Sequence, residues 1–184
     1  MNSKIQNLKI NSIFIFLFII FSCQVEEFDN SEDKKPLGEC TEGLVKFELN
    51  GVDYEYECSG YDLIGYVSLE EMDASSGNDC WGWTDSSSGK EYVLMGLDNG
   101  TAFIDISEPT QPKYLGKLPT QTISTIWRDI KVYKDHAFIV ADFSSNTSEN
   151  DKNHGIQVID LNILNGTSEP KTFNHDFLYL QHGK

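Results

Sequence analysis

The chain has 184 residues, of which 39% are hydrophobic and 12% are aromatic. This length and composition suit one domain with a packed core. The 29 acidic residues outnumber the 14 basic ones, and the formal net charge is −15. Such an acidic surface argues against nucleic acid as a partner and against electrostatic adhesion to anionic lipid.

Residues 1–22 have the pattern of a lipoprotein signal peptide. Lys4 and Lys9 precede the apolar run SIFIFLFIIFS, which ends at Ser22. A run of this length is too short for a comfortable transmembrane helix, which needs roughly 20 apolar residues. The letters IFSC resemble the lipobox of bacterial lipoproteins, with Cys23 as the residue that would carry the lipid. A buried core helix is the alternative interpretation of the apolar run.

A lipid on Cys23 would anchor the mature protein to a membrane, since each buried methylene of an acyl chain adds about 0.8 kcal/mol. The next segment, QVEEFDNSED, is acidic and resembles the export signals of surface lipoproteins in some Gram-negative bacteria. A solvated tether is the plainer alternative. Removal of residues 1–22 takes away two lysines and no acid, so the mature charge is −17. We therefore expect an exported protein, lipid-anchored at the outer membrane or cell surface, with a tether and a first hairpin in residues 23–59.

The remaining cysteines are Cys40, Cys58 and Cys80. Cys40 and Cys58 bracket a candidate hairpin around Asn50-Gly51. An exported protein meets an oxidising environment, and a disulfide that closes about 18 residues would stabilise it by about 3 kcal/mol in the chain-entropy model. Cys80 lies among aromatic residues in NDCWGW and is interpreted as a small buried hydrophobe. No CxxC spacing occurs, which argues against a cysteine metal site.

From residue 60 to residue 184 the sequence is typical of short strands separated by turns. No segment shows a helical period over eleven or more residues, although SLEEMDA can form one helical turn. The predicted strands are rich in Val, Ile, Phe and Tyr and are bounded by Gly, Pro, Asn and Asp. They cover residues 92–97, 101–106, 113–118, 129–133, 137–142 and 155–161. The sequence therefore predicts an all-β fold.

Two segments of this region share one order of features. Each has an apolar strand, a polar break, a glycine, a strand that ends apolar-Asp-apolar, and later Ser-Glu-Pro. Asp105 and Asp160 are the matching acids, and each is expected to accept backbone N–H groups and fix a turn. A role in lining a ligand channel is the alternative for both. Trp127 and either Trp81 or Trp83 precede the matching strands, and we interpret them as equivalent core aromatics.

The run WGWTDSSSGKEYVLMGLDNGTAFIDISEPTQPKYLGKLPT, followed by WRDIKVYKDHAFIVAD and HGIQVIDL, resembles the choice-of-anchor B family. That resemblance implies LVIVD repeats arranged as the blades of a β-propeller on an exported bacterial protein. A period of about 40–50 residues suits propeller blades. Two or three blades fit in residues 60–184, whereas closed propellers have about 4–8. We therefore expect an incomplete propeller from the N-terminal portion of a longer protein, with closure by oligomerisation as the alternative.

The stretch GLDNGTAFIDI offers two interpretations. Asp98, Asn99 and Gly100 suggest a calcium loop at first sight, but the residues that follow supply no further oxygen ligands at regular offsets. Asn99-Gly100 suits a tight turn with positive φ, from which the next strand returns along YVLMGL. We predict a blade hairpin with structural roles for Asn99 and Gly100.

Two other groups of residues are candidates for a metal site. The polar segment SSNTSENDKNH, residues 144–154, is rich in oxygen ligands that suit calcium, and solvation alone is its plainer role. His175, Asp176 and His182 lie close together, and two histidines with a carboxylate can hold zinc or non-haem iron. No G-x-S-x-G motif for a serine hydrolase occurs. No cofactor is therefore expected, and calcium or another divalent metal is the alternative.

The preferred functional hypothesis is a non-enzymatic surface lipoprotein whose β-repeats bind a protein or a glycan. The absence of a recognisable catalytic group and the predicted anchor favour it. The alternative hypothesis is an extracytoplasmic metal-assisted hydrolase that uses the channel of a propeller and His175 and His182. A purely structural envelope component is the third hypothesis.

Overall fold

The computed structural model describes residues 35–142 and 154–180, which belong to one compact unit. The signal peptide, Cys23 and the acidic segment after it lie outside the described residues, as do residues 143–153 and 181–184. The described part is all-β, as predicted, with a single short 3₁₀ helix. No helix within it is long and apolar enough to cross a membrane.

Twelve strands and the 3₁₀ helix make up the secondary structure of the described residues. The elements are β1 Cys40–Thr41, β2 Leu44–Leu49, β3 Val52–Glu57, β4 Gly77–Thr84, β5 Glu91–Leu97, β6 Gly100–Asp105, β7 Lys113–Pro119, β8 Arg128–Tyr133, β9 His136–Ala141, β10 Ile156–Asp160, the 3₁₀ helix Leu161–Leu164, β11 Lys171–Thr172 and β12 Phe177–Tyr179.

The strands form three sheets, and none of the three is closed. The hairpin sheet has the order β1-β2-β3, the five-stranded sheet has the order β11-β7-β6-β5-β4, and the four-stranded sheet has the order β12-β10-β9-β8. All neighbours are antiparallel except β7 and β11, which are parallel. Strands β4 to β7 are therefore one meander, and β8, β9, β10 and β12 form a second.

The main core lies between the five-stranded and four-stranded sheets. Alternate residues of the strands point into it, because successive side chains of a strand face opposite sides. Full burial of one such side chain contributes about 1.5–3 kcal/mol. The members are Trp83, Tyr92, Leu94, Phe103, Leu115, Leu118, Ile130, Ala137, Ile139, Ile159, Leu161, Leu164 and Phe173.

The outer faces of these two sheets differ. On the five-stranded sheet, Ala102, Ile104 and Leu97 pack with Met72, which belongs to the segment that precedes β4. We call residues 63–74 of this segment the strap. On the four-stranded sheet, the corresponding outward residues remain exposed; they are Tyr133, Phe138, Val140, Phe177 and Tyr179.

The hairpin sheet carries the disulfide predicted from the sequence. Strands β2 and β3 pair from Leu49↔Val52 onward, and the two turn residues Asn50 and Gly51 have φ values of 53° and 79°. Two positive φ angles are those of the hairpin turn that Asn-Gly favours. Cys40 and Cys58 are bonded, with their Cα atoms 6.0 Å apart.

The six predicted strands correspond to β5, β6, β7, β8, β9 and β10, each within one residue at either end. Strand β4 was not predicted. It contains Gly77 and Gly82 and has a bulge between Asn78 and Cys80, where Asp79 has a φ of 39°. Such residues are depleted in regular strands.

Two residue environments differ from the sequence-based prediction. Cys80 was predicted to be buried, but it is an exposed free cysteine, since it follows the bulge in the edge strand β4. Trp127 was predicted to be a core aromatic equivalent to Trp81 or Trp83. Trp83 is buried, whereas Trp127 is 61% exposed because it lies in the loop before β8 rather than on a strand.

The hairpin predicted around Asn99 and Gly100 is present, but its turn is placed one residue earlier. Leu97 pairs with Gly100, so Asp98 and Asn99 are the two turn residues and Gly100 is the first residue of β6. Neither Asn99 nor Gly100 has a positive φ, so that part of the prediction is wrong. Gly100 instead permits a close approach of β7, since a Cβ atom there would lie 2.5 Å from the carbonyl oxygen of Leu118.

We predict that Gly116→Ala destabilises the protein far more than Gly82→Ala. Gly116 has a φ of +123°, and a Cβ atom there would collide with the backbone of Lys171, so alanine would separate β11 from β7. Gly82 is exposed and has no atom within 4 Å of its Cβ position. Urea unfolding should show a loss above about 2 kcal/mol for Gly116→Ala and a change within about 0.5 kcal/mol for Gly82→Ala. Equal losses would contradict this role of Gly116.

Candidate functional site

An apolar groove crosses the outer face of the five-stranded sheet beside the strap. Its volume is about 570 Å³. The lining side chains are predominantly apolar, and the residues are Gly65, Tyr66, Val67, Leu69, Met72, Gly77, Val93, Met95, Ile104, Ile106, Pro109 and Pro112. We call this feature the apolar groove.

The strand pattern explains why the floor of the groove is apolar. In β5, Tyr92 and Leu94 face the main core, so Val93 and Met95 face outward, and Ile104 of β6 does the same. Both faces of β5 and β6 are therefore hydrophobic, as in sheets that are covered on both sides. The strap covers only part of this outer face, and the groove is the part left open.

The groove has an apolar lining with few polar side chains. Its lining residues include no acid, base, cysteine or histidine. Tyr66 supplies the one phenol, and its hydroxyl lies 3.1 Å from the hydroxyl of Tyr56. That hydrogen bond and burial raise the pKa of Tyr66 to about 12, so it stays protonated. The groove is suited to apolar side chains of a partner rather than to general acid or base chemistry.

A second feature is a polar layer at one end of the main core, which we define as the buried residues Thr101, Arg128, His154 and Gln157 together with the half-buried Thr120, whose hydroxyl oxygen is buried. Arg128 Nε donates to the carbonyl oxygen of Leu97 at 2.9 Å. Gln157 Nε2 donates to the carbonyl oxygen of Pro119 at 3.0 Å. Each bond joins a residue of the four-stranded sheet to the backbone of the five-stranded sheet. The polar layer therefore fixes how the two sheets meet at this end.

Hydrogen bonding determines the tautomer of His154. Its Nδ1 lies 3.0 Å from the carbonyl oxygen of Gly155, which only accepts, so Nδ1 carries the proton. Its Nε2 then accepts from Arg128 Nη1 at 3.0 Å. Burial and the charge of Arg128 lower the pKa of His154, although the bond to Gly155 opposes them. Burial also lowers the pKa of Arg128 to about 10, which keeps the guanidinium charged at neutral pH.

Four atoms of the polar layer have no hydrogen-bond partner within the part of the chain that the structure describes. They are Thr101 Oγ1, Thr120 Oγ1, Arg128 Nη2 and Gln157 Oε1. A buried polar group without a partner costs about 1–3 kcal/mol. Within the layer, the hydrogen bonds of Arg128 and Gln157 to backbone carbonyls are the contacts that orient the two sheets.

The acids predicted to fix turns do so in the structure. Asp105 Oδ1 accepts from the backbone N–H of Ser107 at 2.9 Å, and Asp160 Oδ1 accepts from that of Asn162 at 3.0 Å. Burial raises the pKa of Asp105, but the hydrogen bonds from Ser107 and Lys90 outweigh it and the net pKa is lowered. The backbone N–H of Asn162 lowers the pKa of Asp160.

Asn99 also makes structural contacts. Its Nδ2 donates to the carbonyl oxygen of Asp73 at 2.6 Å, and its Oδ1 accepts from Lys117 Nζ at 3.0 Å. These bonds tie the β5–β6 turn to the end of the strap and to β7. Gly100 takes part by close packing on Leu118.

The residues considered for metal binding are only partly described. Asp176 Oδ2 accepts from the backbone N–H of Asp160 at 2.7 Å, and His175 is half-buried beside it. His182 and residues 144–153 lie outside the described residues. Within residues 35–142 and 154–180, no three His, Cys, Asp or Glu side chains are grouped so that they could hold a metal ion.

Sequence reasoning missed both the apolar groove and the polar layer. The groove had a signal, because YVLMGL and TAFIDI are apolar at consecutive positions and so predict strands covered on both faces. Arg128 gave none, since an arginine at the start of a strand is usually exposed.

The chain matches no family model, no curated protein and no solved structure. The groove, the polar layer and the disulfide are therefore the observations from which a function can be argued.

We predict that acidification below pH 6.5 destabilises the protein through His154. A lowered folded-state pKa means that the unfolded chain takes up the proton first, so this stability is complete above pH 6.5 and is lost as the pH falls. His154→Asn should flatten the dependence between pH 7 and pH 5, measured as urea midpoints. His136→Asn, at an exposed position on β9, is the matched control and should leave the slope in place. A wild-type midpoint independent of pH in this range would contradict the prediction.

Proposed function

We propose that this protein is an exported, lipid-anchored binding protein of the outer membrane or cell surface, whose β-repeat body binds a partner protein in the apolar groove. The single observation that carries the binding role is the groove itself. It is open, about 570 Å³ in volume and lined by apolar side chains without a reactive group. Pockets of a few hundred Å³ with such linings are common ligand sites.

The disulfide between Cys40 and Cys58 supports export of the protein from the cytosol. Structural disulfides persist in oxidising compartments and are rare in the cytosol. The lipobox-like IFSC at Cys23 and the acidic stretch after it supply the proposed anchor and surface signal. A mature charge of −17 suits a body held at an anionic membrane by its lipid alone, because the surface would not adhere by charge.

We also propose that the two meanders are consecutive blades of a propeller-like array, as the resemblance to the choice-of-anchor B family implies. Both are antiparallel, and they share one core. Asp105 ends the third strand of the first meander and Asp160 ends the third strand of the second, with the same backbone hydrogen bond to the residue two positions later. This equivalence of position and bonding supports a repeat.

The groove favours a protein partner over a glycan. A sugar offers hydroxyl groups that need donors and acceptors in the site, whereas the groove floor consists of Val93, Met95 and Ile104. Leucine-like side chains of a protein would gain from burial there at about 25 cal/mol per Å² of apolar area.

We predict that Cys23→Ser releases the protein from membranes. The substitution removes the proposed lipid acceptor while leaving every described residue unchanged. Fractionation and detergent partitioning of cells that express the full chain should move the protein to the soluble exported fraction. Cys80→Ser is the matched control and should stay in the membrane fraction. Detergent partitioning of Cys23→Ser that is the same as that of the unaltered protein would contradict the anchoring proposal.

We predict that an apolar probe binds the groove and that the two methionines report it. Within residues 23–184, Met72 and Met95 are the methionines, and both line the groove. Both methyl signals should shift in NMR spectra of methyl-labelled protein titrated with N-acetyl-leucine amide. A chito-oligosaccharide should leave them in place.

A pair of isosteric variants tests the location. Val93→Thr places a hydroxyl on the groove floor and should weaken binding of the leucine probe several-fold. Val140→Thr makes the same change on the exposed face of the four-stranded sheet and should leave binding unchanged. Shifts caused by the oligosaccharide alone would overturn the preference for a protein partner.

A further inference from the structure

The open edge of β3 is a second surface with defined chemistry. Strand β3 is the last strand of the hairpin sheet, and β2 is its neighbour on the other side. The two-residue turn makes Leu49↔Val52 a hydrogen-bonded pair, and such pairs alternate along an antiparallel ladder. The bond from Cys58 N to the Gly43 carbonyl oxygen, at 2.9 Å, continues this alternation.

The alternation determines which backbone groups of β3 remain free. Val52, Tyr54 and Tyr56 direct their N–H and C=O groups to β2, so Asp53, Glu55 and Glu57 direct theirs away from it. No other residue among those described hydrogen-bonds the backbone of these three. All three are exposed. The edge therefore presents the free backbone N–H and C=O groups of three residues in strand geometry, and another strand can pair with them.

The two faces along this edge carry different side chains. One face has the acids Asp53, Glu55 and Glu57, and β2 adds Glu48 and Lys46 opposite them. Lys46 Nζ lies 2.7 Å from Glu55, so a single basic residue faces four acidic ones. The other face has Val52, Tyr54 and Tyr56, of which Val52 is 51% and Tyr56 44% exposed.

Charge selects the occupant of the edge. A second copy of β3 would place carboxylates opposite carboxylates, and like charges directly opposite destabilise a strand pair. A basic segment would gain from the same acids. We propose that the β3 edge binds an extended basic segment of a partner protein by strand addition, with Lys or Arg opposite Asp53, Glu55 and Glu57 and apolar residues between them.

This inference is independent of the apolar groove, because it uses the backbone edge and the acids of β3. The probe is a heptapeptide of alternating lysine and valine. Its control has the same composition with the lysines grouped at the ends, which keeps the charge and breaks the alternation. Isothermal titration of the full chain should show binding of the alternating peptide at least about tenfold tighter than binding of the control.

Two substitutions at one position separate backbone pairing from charge. Glu55→Gln removes one charge and keeps the outward N–H, and should weaken binding a few-fold. Glu55→Pro removes the same charge and also the outward N–H, while the bonds between β2 and β3 are kept, as proline is tolerated where the N–H faces solvent. Glu55→Pro should therefore bind about tenfold more weakly than Glu55→Gln.

The second measurement is amide hydrogen exchange of the unaltered protein, which needs no substituted variant. The bound peptide should slow exchange of the Asp53, Glu55 and Glu57 amides, while those of Tyr54 and Tyr56 should change little. Equal affinities for the two peptides, or no protection at the three amides, would overturn the proposal. Equal binding by Glu55→Pro and Glu55→Gln would also overturn it, because charge alone would then account for the contact.

Discussion

The packing of the five-stranded sheet on the four-stranded sheet is the constraint on which the other features of this molecule depend. Neither meander can bury its apolar face alone, and together they enclose one core that includes Phe103 and Ile139. At one end of this core, Arg128 and Gln157 reach across to backbone carbonyls of the opposite sheet. Apolar burial is not directional, whereas these bonds are, so the polar layer defines the relative placement that the core stabilises.

The position of the groove follows from this packing. Because the inner faces are used by the core, the outer face of β5 and β6 is left for the strap, which covers it partly through Met72. Lys117 Nζ donates to the carbonyl oxygens of Met72 and Asp73 at 3.0 and 2.7 Å, and so holds the end of the strap on β7. At its other end, Gly65 of the strap packs closely on Pro109 and Pro112 of the loop after β6, so the strap and this loop together form the walls of the groove. Its shape depends on contacts between segments that are distant in the sequence.

Features that depend on neighbouring residues could be predicted from the sequence, whereas features that depend on contacts between distant segments could not. Short stretches of the sequence were enough to predict the all-β class, six strands, the Asn50-Gly51 turn and the disulfide. The signals were local alternation of apolar residues, turn chemistry and cysteine spacing. The turn near Asn99 was predicted one residue too late, because Gly100 is needed for close packing of β6 on the backbone of Leu118 in β7 and not for the turn. The burial of Arg128 likewise depends on Leu97 and His154, which lie far from it in the chain. For the groove, the sequence could indicate only that its floor strands have two apolar faces. Its walls come from the strap and from the loop after β6, and their positions depend on the folded chain.

Tyr66 connects the two surfaces proposed for binding. It lines the apolar groove, and its ring packs on Phe47 and Tyr54 of the hairpin sheet, with centroids 5.4 and 5.3 Å away. Its hydroxyl contacts that of Tyr56, one of the residues on the apolar face of β3. The hairpin that the disulfide closes is thereby held beside the groove rather than left as a free tether. One extended partner chain with basic residues along β3 and an apolar side chain further along would meet complementary chemistry on both surfaces. A partner without the basic residues would meet it only in the groove, so under the two proposals the acids of β3 would let the protein select among apolar partners by charge.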